Sequence, residues 1–212
     1  MKSKLSITVK KIGKYFREIS VVVIGVAITL SASYWISNSK DKRDMLLYLN
    51  AIQLELEENI NFLDKEADFL DDWTNYARFL TSYNKDSIPK DSIRTWWHSG
   101  LGSTHNIIFQ SSAFEMFKVS GAMRLLKDKD LLQSVWQSYL ILEGLKMTLD
   151  EYYRLKKEEC YKANQLELSG ISIPIPLYDF FYSYANFGAL ENCKGALQDL
   201  KDTAEKLDKF LK

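Results

Sequence analysis

A chain of 212 residues has room for one domain and an accessory segment. Its 28 basic and 28 acidic side chains balance, but unevenly: residues 1–18 hold six basic groups against Glu18, and the remainder holds 22 against 27. The acidic body argues against nucleic acid as a partner, and two cysteines exclude a disulfide-rich scaffold.

The basic head comes first. Leu5, Val9, Ile12, Phe16 and Ile19 recur every three or four residues, with lysines mostly elsewhere on the wheel. That spacing predicts an amphipathic helix on an anionic membrane surface. A disordered tail that only sets topology is the alternative.

From Ile19 to Ser39 there are 21 consecutive uncharged residues. As a helix the run is roughly 30 Å long, which matches a hydrocarbon core. Tyr34 and Trp35 suit the interface at its far end. Dense basic charge on the near side puts the N-terminus in the cytoplasm and the body outside. The expected layout is therefore a cytoplasmic head at 1–18, a transmembrane anchor at 19–39 and a periplasmic helical bundle at 40–212. A cleaved signal with its cut near Ser31 and Ser33, or a buried core helix, would read similarly. Within the run, Gly25, Thr29 and Ser33 form a small-residue series that would allow two spans to approach closely and self-associate.

Asp44 to Tyr83 reads as helix, with Leu49, Ile52, Leu56, Ile60, Leu63, Ala67, Leu70, Trp73, Ala77 and Leu80 at helical spacing. No proline or glycine separates it from the anchor, so one continuous rod is expected. The polar stretch ending at Pro89 breaks it. Ser112 with Glu115 is a capping-box pattern for a second helix, and Gly121 suits its end. Asp128 or Asp130 can cap a third helix, running to about Leu168. "SGISIPIPLYDFF" is an extended crossover, since its prolines cannot donate to a sheet. The last helix carries heptads: Leu190, Cys193, Leu197, Leu200, Ala204, Leu207 and Leu211. Helices with apolar stripes bury them against each other, so the fold class is all-α, an antiparallel bundle of long helices behind one N-terminal transmembrane helix.

Sites for chemistry are scarce. His98 and His105 lack nearby carboxylates in sequence and the spacing of a zinc site. No phosphate loop, nucleophile motif or Glu-x-x-His element occurs, so no catalytic residue, metal or cofactor is expected and the chain reads as a non-enzyme. The carboxylates of "ELEEN" (55–59) and "KKEEC" (156–160) read as solvated helix faces. Tyr178, Phe180, Phe181 and Tyr182, with further aromatics nearby, either cover the end of the core or form a docking patch. Trp96 and Trp97 pose the same choice. Cys160 and Cys193 each lie eight residues from the ends of the helices flanking the crossover, which would set them level for a disulfide in an oxidising compartment. Two separate core thiols are the alternative.

"REISVVVIGVAITLSASYW", "YLNAIQLELEENI" and "SSAFEMFKVSGAMRLLKDKDLLQSVWQSY" together resemble an uncharacterised Bacteroidota family of single-pass anchored helical proteins, a domain of unknown function. The resemblance covers about Lys14 to Tyr153. Ala32-Ser33-Tyr34 departs from its amide-rich pattern before the Trp. It implies a retained anchor in the bacterial inner membrane and assigns no activity. The expected role is a membrane-anchored interaction or scaffolding module. Its expected partners are membrane lipid, other proteins or further copies of itself. A ligand-sensing bundle signalling through a partner subunit is the alternative.

Overall fold

The computed structural model describes the backbone of residues 2–83, 87, 89, 105–168 and 185–212; side chains are described from Val23 onward, apart from 80–81, 163–168 and 185–187. Among the described residues there are four α-helices and no strand: α1 (Lys2–Thr81), α2 (Ser112–Val119), α3 (Lys129–Leu168) and α4 (Ala185–Leu211), with a 3-10 turn at Ala122–Leu125. The chain divides into two compact units, Met1–Leu47 and Tyr48–Lys212.

In the first unit the helix carries Val23, Ile24, Val26, Ile28, Leu30, Tyr34, Trp35 and Ile36 all exposed. These positions fall on every side of a helix, so the apolar surface has no polar face. Among the described residues no helix is long and apolar enough to cross a membrane. The described side chains begin at Val23, four residues into the uncharged run that opens at Ile19.

The second unit is a helical bundle. Leu49, Ile52, Leu56, Leu63, Leu70 and Trp73 of α1 are buried, as are Leu131, Val135, Leu142 and Leu149 of α3 and Leu190, Leu200 and Leu207 of α4. Each such side chain contributes about 1.5–3 kcal/mol when fully removed from water. The heptad of α4 holds at five of its seven positions: Leu197 and the terminal Leu211 are half-buried, and Ala196 is buried beside Leu197. The small Ala196 suits the close packing of α3 and α4.

The helix directions alternate, as in an antiparallel bundle whose return leg between α1 and α3 is the segment 105–113 with the short α2. Glu55 meets Tyr139 and Glu66 meets Tyr153, so α1 and α3 advance together and are parallel. Lys194 meets Asp71 and Lys201 meets Asp64, so α4 runs against α1. It also runs against α3, where Ser138 meets Thr203 and Lys206 meets Ser134. The physical cause is the segment from His105, which carries the chain back along α1 before α3 begins.

Helix ends follow local chemistry. Gly121, with φ 73°, takes the left-handed conformation beyond α2, where a side chain would be strained. Asp128 Oδ1 accepts the Leu131 N–H at 2.9 Å and caps α3. The capping box at Ser112 does not form: Ser112 is already helical, and Ser111 at the cap makes no side-chain bond.

Candidate functional site

The missing cap is supplied from α1. Glu55 Oε2 accepts the Ala113 N–H at 2.8 Å, a carboxylate placed at the positive end of α2. Its other oxygen accepts the Tyr139 hydroxyl. One turn on, Asn59 clamps the strap at Gln110: Nδ2 donates to the Gln110 carbonyl and Oδ1 accepts the Gln110 N–H, both at 2.8 Å. Phe62 and Phe109 meet edge to face at 5.6 Å. Two turns beyond Asn59, Glu66 Oε2 lies 3.2 Å from His105 Nδ1. The strap 105–113 therefore lies antiparallel on α1. Two buried side chains, Glu55 and Asn59, satisfy backbone groups at Ala113 and Gln110, and a third, Glu66, holds the His105 ring.

Glu66 is the centre of a second cluster. It is 3% exposed and also accepts the Tyr153 hydroxyl. Burial first, and then the Glu66 charge, raise the Tyr153 phenol far above its ordinary range, so it stays a donor. His105 packs at a 38° tilt against both Phe69, at 4.4 Å, and Tyr153, at 5.6 Å. Lys156, 0% exposed, sits beside them. Its Nζ is 4.0 Å from the Trp73 ring centroid, 4.7 Å from Phe69 and 5.3 Å from Tyr153, and has no hydrogen-bond partner among the described residues. Burial pushes the amine down to about 7, opposed by the nearby Cys160 and Glu66. The three ring faces also favour the ammonium form. A carboxylate, an imidazole, a phenol and an amine are thus drawn together around Phe69. Glu66 links the imidazole and the phenol by hydrogen bonds, and the amine stands apart from them, sealed from any substrate in this conformation.

Beside the strap lies an open groove of about 310 Å³ between α2 and α3. Phe114 and Tyr139 stack at 4.1 Å with planes 3° apart, and Trp136 meets Phe114 edge-on at 5.7 Å. Lys118 Nζ stands 5.0 Å from the Phe114 centroid and 5.7 Å from that of Trp136. Met116, Val119, Trp136, Leu140 and Met147 leave an exposed apolar surface on these two helices.

The structure redistributes the sequence-derived sites. "ELEEN" and "KKEEC" are not wholly solvated: Glu55, Asn59, Lys156 and Cys160 are buried, while Glu57, Glu58 and Glu158 are exposed. Position on the helix decides this, since the buried members fall on the core stripe. His105 is paired with Glu66, a carboxylate distant in sequence. Among the described residues no group of three or more His, Cys, Asp or Glu could hold a metal. Cys160 and Cys193 are buried free thiols, not a bridge. Burial is the main cause that raises each thiol, and both lie close enough to Tyr152 to act on its phenol. Gly25, Thr29 and Ser33 are exposed, and the Thr29 hydroxyl donates to the Gly25 carbonyl at 2.9 Å. Tyr178, Phe180, Phe181, Tyr182, Trp96, Trp97 and His98 lie outside the described residues. Compared with family models, curated proteins and solved structures, the chain matches none.

Proposed function

We propose that the chain is a membrane-anchored interaction or scaffolding module, with residues 19–39 as a single span and the helical bundle on the periplasmic side of a bacterial inner membrane. One observation carries the reading: from Val23 to Ile36 every large apolar side chain on the helix is exposed. Left in water, such a surface is costly, and a bilayer covers all sides of it at once. The basic head at 1–18 supports the orientation. The exposed apolar residues of α2 and α3 support a contact role for the bundle. Alkaline extraction of membranes, with a reporter fused after Lys212, tests the reading. Retention in the pellet and reporter activity on the periplasmic side are expected. Release into the supernatant, or cytoplasmic reporter activity, overturns it.

A second reading, a ligand-sensing bundle, is favoured by the aromatic groove between α2 and α3. A sensor of this kind relays its signal through a partner subunit. A ligand that changes which proteins crosslink to the bundle would favour sensing over scaffolding.

A further inference from the structure

We propose that the groove between α2 and α3 binds a small organic ammonium ion. The proposal deepens the sensing reading but does not depend on the membrane anchor. The groove, at about 310 Å³, is of the size that encloses a small ligand. Its floor is the stacked pair Phe114 and Tyr139, walled by Trp136. Ring faces carry negative potential and attract cations, Trp most strongly. The Tyr139 hydroxyl donates to the Glu55 carboxylate, which holds the phenol in place and adds electron density to its ring.

The chain itself demonstrates the geometry. Lys118 holds its amine over both Phe114 and Trp136, within the range of a cation–ring contact. That amine is tied to Glu115 by an ion pair at 2.6 Å on the same exposed turn, a weak tether in water. Lys118 is therefore a resident cation that a ligand can displace.

The remaining charges select the sign of the ligand. Lys118 is matched by Glu115, and Lys146 by Asp150. Glu143 lines the groove and has no ion pair among the described residues. The unmatched charge at the rim is thus a carboxylate. Beneath the floor, Glu55 is bonded to a phenol and a backbone N–H, not to a cation. An ammonium on an apolar body meets rings below and Glu143 at the edge. An anion of the same shape meets Glu143 and only amines already paired, Lys118 with Glu115 and Lys146 with Asp150.

The test uses the full chain in a non-ionic maltoside detergent, titrated calorimetrically with benzyltrimethylammonium. Phenylmethanesulfonate serves as the probe of inverted charge. Saturable binding of the ammonium is expected, with the sulfonate weaker by roughly tenfold or more. Glu143→Gln weakens the ammonium by roughly three- to tenfold, and Lys118→Met tightens it by removing the resident competitor. Both side chains lie at the surface, so neither variant threatens the fold. Absence of ammonium binding to the native chain overturns the proposal. So does sulfonate binding of equal strength, or an unchanged affinity in Glu143→Gln.

Discussion

Lys156 holds its Nζ 4.0 Å from the centre of the Trp73 ring with no hydrogen bond to it among the described residues. A fully buried amine satisfied by ring faces alone is a group whose charge the fold resists. Its folded-state affinity for a proton drops to about 7 from the ordinary 10.5. Above pH 7 the unfolded chain therefore binds the extra proton, and stability rises with pH. Below pH 7 both states are protonated and the cost is constant. The gain from pH 7 to 8.5 is on the order of 1–2 kcal/mol, since a tenfold change in proton affinity is worth about 1.4 kcal/mol. Beyond about pH 10 the sign reverses, because unfolded thiols and phenols ionise while buried Cys193, pushed up to about 12, and the buried phenols of Tyr76, Tyr139, Tyr152 and Tyr153, raised further, stay protonated. Urea midpoints across this range check the curve. Lys156→Met should lose the rise and keep the fall. An unchanged rise in that variant assigns it to another group.

Asn59 is the clamp on which the strap depends. Replacement by Ala removes two hydrogen bonds to Gln110 and leaves its backbone N–H and carbonyl without those partners. The expected cost is about 1–3 kcal/mol, from two part-buried hydrogen bonds lost. Hydrogen exchange reads it locally: the Gln110 amide should lose protection, while the Leu131 amide, capped by Asp128, keeps its own. Equal loss at both positions would mean general unfolding and not release of the strap.

How much of this was legible follows from the kind of signal each residue gives. Leu49, Ile52, Leu56, Leu63 and Leu70 announce their burial through spacing, and all are buried. Gly121 and Asp128 act locally, and both take the roles their chemistry predicts. Glu55, Asn59 and Lys156 looked like solvated charge because their partners are far along the chain: Ala113 lies 58 residues from Glu55, and Gln110 lies 51 from Asn59. The signal available was position: Glu55 and Asn59 flank Leu56 on the core side of α1, and Lys156 follows Leu149 and Tyr153 at helical spacing. The seat of the strap along α1 was hidden for the same reason. It depends on the return path of a segment with no periodicity of its own.

The thiols give a simple readout. Burial raises both above the usual range, Cys193 to about 12, so little thiolate forms at neutral pH. Folded protein should react slowly with an aromatic disulfide reagent, and denatured protein should titrate two thiols at once. The same result is expected for protein isolated from membranes without reductant. Zero thiols there would show the Cys160–Cys193 bridge formed, and would require the packing of α3 against α4 to shift.

Gly25 tests self-association of the proposed span. In the single chain a Cβ added at Gly25 meets nothing within 4 Å, so a side chain there clashes with no part of its own fold. Leu is also a better helix former than Gly by roughly 0.5–1 kcal/mol. The monomer should therefore tolerate Gly25→Leu fully. The Thr29 hydroxyl already donates to the Gly25 carbonyl within the helix, so close packing, not hydrogen bonding, is what the small series can offer a second copy. A bulky side chain in that contact holds two helix backbones apart. Gly25→Leu should cut the signal of a membrane two-hybrid assay severalfold while membrane insertion and expression stay level. Association unchanged in this variant would remove Gly25, Thr29 and Ser33 from any dimer contact and leave self-association, where present, to the bundle.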